Sequence, residues 1–152
     1  MIITPHFLVG AALGTMVKSL PVAFALGVGS HLILDAIPHV DPGTFQEIIR
    51  GRWPRWFYYF TILDFAATFL IIYFFRHRPD FSLIIAGGLG GILIDIIDNI
   101  PFPVLDEWPV FKQVHLVHQA FHYYIKKENW YWGIIGQVIV IGGSLWFLLR
   151  KF

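Results

Sequence analysis

The sequence predicts an all-α membrane protein: a polytopic helix bundle of two related helical hairpins, an interfacial helix and a C-terminal transmembrane helix. Composition is the first observation, because 57% of the 152 residues are hydrophobic, 14% are charged and the mean hydropathy is +0.65. A soluble domain carries about 25% charged residues, so too few polar side chains remain to cover a soluble surface. The second observation is a series of apolar segments separated by proline-containing turns, which is typical of consecutive membrane helices.

The first hairpin covers residues 1–37. Thr4-Pro5 predicts a helix N-terminus, because proline suits the first helical turn. A turn at residues 19–21 leads into a second helix, which Pro38 ends. Both helices are short for a hydrocarbon core about 30 Å thick, so we expect marginal spans that are tilted or set in thinned lipid.

The second hairpin covers residues 55–100, and its final helix ends as the first hairpin does. Asp35-Ala-Ile-Pro38 closes one hairpin and Asp98-Asn-Ile-Pro101 closes the other, each after a glycine-rich approach. This match predicts two hairpins of related design. The alternative is chance, because the shared pattern is short.

The C-terminal part adds an interfacial helix over residues 114–127 and a last transmembrane helix over residues 130–150, within a single integral membrane domain, 1–152. Gly87-x3-Gly91 and similar spacings of small residues favour close helix packing in lipid. Since the turns inside both hairpins are short, both long loops and the N-terminus are predicted on one side. Nearly all the ligand-type residues are therefore predicted to converge on one membrane face.

His31 and Asp35 are the first candidate metal ligands. They are four residues apart and share a helix face, and ionisable groups are expensive to bury in an apolar helix. Imidazole nitrogen combined with carboxylate oxygen suits zinc, manganese or iron. The alternative is a structural pair, in which Asp35 only holds the histidine or caps the helix.

A stripe of histidines forms the second candidate group. His115, His118 and His122 follow the spacing i, i+3, i+7, which places them on one helix face. We favour His118 and His122 as ligands, because His115 stands near the predicted helix start. The alternative is an amphipathic helix whose histidines face water.

Carboxylates inside the apolar segments also need partners. Asp64 and Asp95 are predicted to be the most deeply buried, and an ionised Asp at a helix centre costs about 2.5–3.5 kcal/mol. A metal ion or a protonated His would remove much of this cost, whereas the alternative is a neutral Asp bonded to a neighbouring helix. We choose Asp98 over Asp95 as a ligand, because Asp98 is the counterpart of Asp35 in the repeat.

Four motifs carry a family resemblance: Thr4-Pro5-His6, His31-x3-Asp35, Pro38-His39-x-Asp41 and His118-x3-His122. They resemble motifs of the predicted membrane-bound metal-dependent hydrolases, which include the LexA-binding inner-membrane hydrolases. That family has a Thr-His motif in its first helix, a Pro-Asp-x-Asp-like motif after its second helix and a later His-x(3–4)-His pair. The chain departs from the pattern where His39 replaces Asp. A fainter likeness to zinc-dependent phospholipase C rests on His-x3-Asp alone.

The resemblance implies a multi-pass hydrolase of the inner or plasma membrane that cleaves a phosphoester or related bond in a membrane lipid or lipid-like substrate. It implies one or two divalent metal ions, with zinc expected and manganese or iron as alternatives. A metal-activated water would be the nucleophile, with His39 or Asp41 as general acid or base. The expected metal ligands are His6, His31, Asp35, Asp64, Asp98, His118 and His122. Among them, Asp64 and Asp98 would bridge two ions or position other groups of the site.

Two other classes of function stay open. One is a transporter that moves a divalent cation or protons along buried Asp and His, and the other is a non-catalytic membrane protein with a structural metal site. A transporter needs ligand residues toward the opposite face, where the sequence offers only His77 and Asp80. That asymmetry favours an enzyme or a metal-stapled scaffold. The formal net charge of +1 argues against a nucleic-acid partner.

Overall fold

A computed structural model describes residues 1–40, 55–99, 108–123 and 125–150. Within these ranges the chain forms α-helices and one short 3-10 helix and contains no strands, which confirms the predicted all-α class. The α-helices are α1 (Ile3–Gly14), α2 (Leu20–Asp35), α3 (Arg55–Phe75), α4 (Phe81–Asn99), α5 (Pro109–Phe121) and α6 (Trp130–Arg150), and the 3-10 helix is Lys127–Asn129.

Three of these helices are long and apolar enough to cross a membrane. The candidate spans are Tyr58–Phe75 in α3, Phe81–Asp98 in α4 and Trp130–Arg150 in α6. The first two helices of the chain are shorter, with 12 residues in α1 and 16 in α2, which corresponds to about 18 and 24 Å. Large apolar side chains remain exposed along α3 and α6, as expected of a surface that faces lipid.

Helix α4 packs closely against both α1 and α2. Glycine makes this approach possible at Gly87, where the backbone of α4 meets the backbones of the other two helices. A Cβ atom at Gly10 of α1 or at Gly27 of α2 would collide with the carbonyl oxygen of Gly87. The small-residue spacing of the sequence therefore serves direct backbone packing among three helices.

Helix α1 also packs against α3 and α6, and most of its residues are buried. The carboxylate of Asp64 in α3 accepts hydrogen bonds from the backbone N–H groups of Ile3, at 2.6 Å, and Thr4, at 3.1 Å. The Thr4 hydroxyl lies 2.9 Å from the Thr68 hydroxyl. The first backbone N–H groups of α1 are thus capped by a side chain from a neighbouring helix. The apolar core beside these contacts consists of Phe7, Leu8, Ala11, Phe75, Ile84, Ile92 and Leu148.

The turn between α3 and α4 is tied to the C-terminal end of α6. Arg78 donates from Nε and Nη2 to the two carboxylate oxygens of Asp80, each at 2.7 Å, and from Nη1 to the carbonyl of Leu148. Consequently this turn and the end of α6 lie at one end of the bundle. The start of α1 and the ends of α2 and α4 lie at the other end.

Helix α5 differs from the predicted interfacial helix over residues 114–127. It begins at Pro109, which suits a first helical turn, and ends at Phe121, after which His122 adopts an extended backbone with ψ 119°. The N–H of Tyr123 then donates to the carbonyl of Asp35 at 2.8 Å. This contact with the end of α2 explains why the chain leaves the helix early, and it places His122 beyond the helical stripe that we expected.

Candidate metal centre

Asp35, the last residue of α2, is fully buried and surrounded by histidines. Its Oδ2 atom lies 3.0 Å from Nε2 of His31 and 2.9 Å from Nε2 of His118. Its Oδ1 atom lies 3.1 Å from Nε2 of His6 and 3.7 Å from Nε2 of His39. Four imidazole rings from four segments of the chain therefore present the same ring nitrogen to one carboxylate.

Two of these rings are oriented by backbone carbonyls through their other nitrogen. Nδ1–H of His31 donates to the Gly91 carbonyl at 2.7 Å, and Nδ1–H of His39 donates to the Ile37 carbonyl at 2.8 Å. A carbonyl can only accept, so Nδ1 carries the proton in both rings. Nε2 of each ring therefore faces the carboxylate. It carries a lone pair when the ring is neutral and a second proton when the ring is charged. Histidines that bind metal ions are usually fixed in this way.

His6 lies on the Oδ1 side of Asp35. The ring is fully buried and stacks on His31 with 4.0 Å between ring centroids. Its Nε2 atom is 3.1 Å from Oδ1 of Asp35, which also accepts a 2.8 Å hydrogen bond from the N-terminal ammonium of Met1. The Oδ1 side of the carboxylate therefore faces a positively charged group as well as imidazoles.

The described residues contain two groups that could hold a metal ion, and both include Asp35. Within each group, one ligand atom from every residue lies within 4.8 Å of the others. The first cluster consists of His31, Asp35, Asp95 and His118; the second cluster consists of Asp35, His39 and His122. The donors are imidazole nitrogens and carboxylate oxygens, which suit a divalent metal ion such as zinc, manganese or iron.

Asp95 is the residue of the first cluster that was missing from the predicted ligand set. Its Oδ1 atom lies 3.8 Å from Nε2 of His31, and its side chain is 14% exposed. A signal for it existed in the sequence, since Gly87, Gly91 and Asp95 follow the spacing i, i+4, i+8. The helix face that packs on α1 and α2 therefore continues directly to this carboxylate.

Asp98 lies outside both clusters, and the expectation that it binds metal stays a prediction. Its carboxylate accepts a hydrogen bond from Nδ1 of His118 at 2.8 Å and contacts Nδ1 of the exposed His115. In this position Asp98 can orient His118 through the ring nitrogen that faces away from Asp35. Asp64 also lies outside both clusters, and both of its carboxylate oxygens cap α1.

Helix α6 supports the segment that carries His39. A Cβ atom at Gly133 would press on the backbone of His39 and Val40, and the Gln137 amide donates to the Val40 carbonyl. Nε2 of His39 lies 3.3 Å from Nε2 of His122. His39, the expected acid–base residue, thus belongs to a cluster that could hold a metal ion, and its acid–base role stays a prediction. The other expected acid–base residue, Asp41, lies outside the described residues.

The two clusters differ in their electrostatics. Burial lowers the pKa of His39 to about 4, so this ring is neutral and able to bind a cation near neutral pH. Burial acts in the same direction on His118, but hydrogen bonds to Asp35 and Asp98 outweigh it and raise the pKa of His118 to about 9. His118 therefore carries a proton near neutral pH when no metal ion is bound.

No family model, no curated protein and no solved structure matches the chain.

Proposed function

We propose that the protein is a membrane-embedded, metal-dependent hydrolase that cleaves a phosphoester or related bond in a membrane lipid or lipid-like substrate. One observation carries this proposal. The buried Asp35 carboxylate is faced by Nε2 atoms of four histidines, and three of those rings are fixed through Nδ1. One buried carboxylate does not require four imidazole partners for stability, whereas a metal centre requires several nitrogen and oxygen ligands.

In the first cluster, His31, Asp35, Asp95 and His118 would hold the ion, and zinc is the proposed metal. A divalent cation at such a site supplies Lewis acidity, which polarises a phosphoryl oxygen and activates water as a nucleophile. The carboxylates of the cluster would neutralise the ion, and Asp98 would keep His118 in the required tautomer and orientation.

The position of the cluster along α4 supports an amphiphilic substrate. Asp95 stands three residues before the end of the candidate span Phe81–Asp98, so the cluster lies where an apolar segment ends. The side chain of Asp95 is partly exposed and His122 is half-buried, which offers access from the boundary. A substrate with a polar reactive group and an apolar tail would place that group at this level.

The resemblance to the predicted membrane-bound metal-dependent hydrolases supports the same reaction class. His6, His31, Asp35, His118 and His122 belong to the motifs that resemble this family, and each lies in or beside the two clusters. Membership in that family is part of the proposal, and so is a position in the inner or plasma membrane.

Cation or proton transport is less well supported. A path through the bundle would need ligand-type residues at the end opposite the clusters. The side chain of Asp80 at that end is engaged by Arg78, and His77 is exposed at the surface. The described residues therefore place their metal-ligand groups at one end only.

The proposal is tested on protein purified in detergent micelles. We expect the wild type to contain a divalent ion by mass spectrometry and to hydrolyse bis(p-nitrophenyl) phosphate or phosphatidic acid in mixed micelles. EDTA should abolish hydrolysis and zinc should restore it. His31→Ala and His118→Ala should lose the ion and the activity, while His77→Ala, an exposed histidine at the other end, should keep both.

Two results would overturn the proposal. The first is equal, very low metal content in the wild type and in the His31→Ala and His118→Ala variants, which would remove the metal site. The second is retention of the ion without hydrolysis of either substrate, which would favour the structural-metal alternative.

A further inference from the structure

The carboxylate of Asp35 presents a different set of histidines at each of its two oxygens. His31 and His118 lie nearest Oδ2, at 3.0 and 2.9 Å. Oδ1 accepts a 2.8 Å hydrogen bond from the buried N-terminal ammonium of Met1 and lies 3.1 and 3.7 Å from Nε2 of His6 and His39. A carboxylate that serves a single ion needs only one side occupied. Both oxygens of Asp35 instead point into groups of nitrogen donors.

We propose that the protein holds a second divalent metal ion in the second cluster, with Asp35 bridging the two ions through its two oxygens and with His39 and His122 as the remaining protein ligands. The proposal extends the metal site on which the proposed function rests. It assigns a two-ion centre rather than a one-ion centre, and it gives His39 and His122 one shared role.

The geometry around His39 and His122 supports this assignment. Their Nε2 atoms lie 3.3 Å apart, at hydrogen-bond distance, so both rings direct this nitrogen to one point. Nδ1 of His39 donates to the Ile37 carbonyl, so Nε2 of the neutral ring has its lone pair available for a cation at this point. Asp35 also supplies a buried negative charge within 4.8 Å of both nitrogens.

The histidines of the second cluster are held in place by separate parts of the fold. His39 is positioned by the packing of α6 on the segment after α2, through Gly133 and Gln137. His122 is positioned where the chain leaves α5 and Tyr123 bonds to the Asp35 carbonyl. Three protein ligands are the number typical of zinc sites that keep a coordination position for water or substrate. Two ions that share a carboxylate commonly act together on phosphoryl groups.

The test is a count of bound ions in chelator-treated protein in detergent, titrated with Zn²⁺ or Mn²⁺ and followed by calorimetry and elemental analysis. We expect two ions per chain in the wild type. His39→Gln and His122→Gln should each retain one ion, because the first cluster stays intact. The matched control His77→Gln should retain two ions.

The bridge has its own signature. In Mn²⁺-loaded wild type, electron paramagnetic resonance should show a spin-coupled pair, since two ions share Asp35. The spectrum of His122→Gln should show one isolated ion, and because His122 is half-buried we expect this variant to remain folded. Circular dichroism of both histidine variants should match the wild type.

A wild type that binds one ion, with the count unchanged in His39→Gln and His122→Gln, would overturn the two-ion inference and leave the proposed function standing. Two ions without spin coupling would overturn the bridging role of Asp35. A wild type that binds no ion would overturn the proposed function together with this inference.

Discussion

Asp98 accepts a 2.8 Å hydrogen bond from Nδ1 of His118, and this contact turns the opposite nitrogen of the ring into the buried part of the site. The two residues come from α4 and α5, which otherwise share few contacts. The orientation of a ligand on a peripheral helix is thus set by a carboxylate of the central helix.

The first prediction concerns this carboxylate. Asp98→Asn should lower the metal affinity about 10- to 100-fold, because a carboxylate behind a metal-bound histidine raises its basicity and fixes its ring. Competition with a chromogenic chelator measures the affinity. Glu128→Gln, a substitution of an exposed acid, is the control and should bind as the wild type. Unchanged affinity in Asp98→Asn would contradict the orienting role.

The second prediction separates Asp64 from the metal site. Asp64→Ala removes the acceptor for two backbone N–H groups at the start of α1, so the free energy of unfolding should fall by about 1–3 kcal/mol. The number of bound ions should stay the same. Unfolding in detergent and elemental analysis of the same sample provide both measurements. Loss of an ion at unchanged stability would restore Asp64 as a ligand.

The third prediction concerns the packing of three helices at Gly87. Gly87→Ala places a methyl group against the backbone of Gly10, and such overpacking should destabilise the fold by about 1–3 kcal/mol. The matched control is Gly142→Ala in α6, where an added Cβ meets no atom within 4 Å. We expect the control to unfold at the wild-type temperature. Equal melting temperatures for the two variants would argue against close packing at Gly87.

The fourth prediction is a pH dependence of metal binding. The pKa of His118 is raised to about 9 without metal, so an incoming ion must displace its proton at lower pH. Deprotonation of His118 should therefore increase the metal affinity about tenfold per pH unit up to pH 9. Above pH 9 the affinity should no longer depend on this group. Calorimetry in buffers of different ionisation enthalpy should detect the released proton. A flat affinity between pH 7 and 9 would contradict this prediction.

The same raised pKa gives a test of stability in the metal-free protein. Below pH 6.5, the ordinary pKa of histidine, protonated His118 contributes its full stabilisation to the folded state. This stabilisation is lost as the pH rises through the pKa of about 9 in the folded protein. The melting temperature in EDTA should therefore decrease from pH 6.5 to pH 9, and His118→Gln should remove the decrease. The opposite slope, with a melting temperature that rises over this range, would show that His118 is not protonated in the metal-free site.

Local patterns in the sequence were sufficient for the helices and for part of the site. The apolar segments and their prolines predict the helices, and the four-residue spacing predicts that His31 and Asp35 meet on one face, where their side chains lie 3.0 Å apart. Both features depend on residues close together in the chain. His118 was predicted because a histidine stripe is conspicuous in an apolar sequence.

Contacts between distant residues account for what the sequence did not predict. Asp64 caps α1 from a neighbouring helix, and no local pattern distinguishes that use from metal binding. The choice of Asp98 over Asp95 relied on a short repeat, whereas the helix face that meets α1 and α2 leads to Asp95. His122 leaves the helical stripe because Tyr123 bonds to the end of α2. Each outcome depends on how helices dock.

The backbone contacts among α1, α2 and α4 have a consequence for ion selectivity. With no side chains between these helices at Gly87, the spacing of the ligands they carry is set by main-chain positions rather than by adjustable rotamers. Such a site is preorganised, so little conformational entropy is lost when an ion enters. A rigid cage of this kind discriminates between ions by radius and preferred coordination number. If the proposed site holds a metal ion, the glycines at this helix contact would influence which ion it prefers, although they lie outside the clusters.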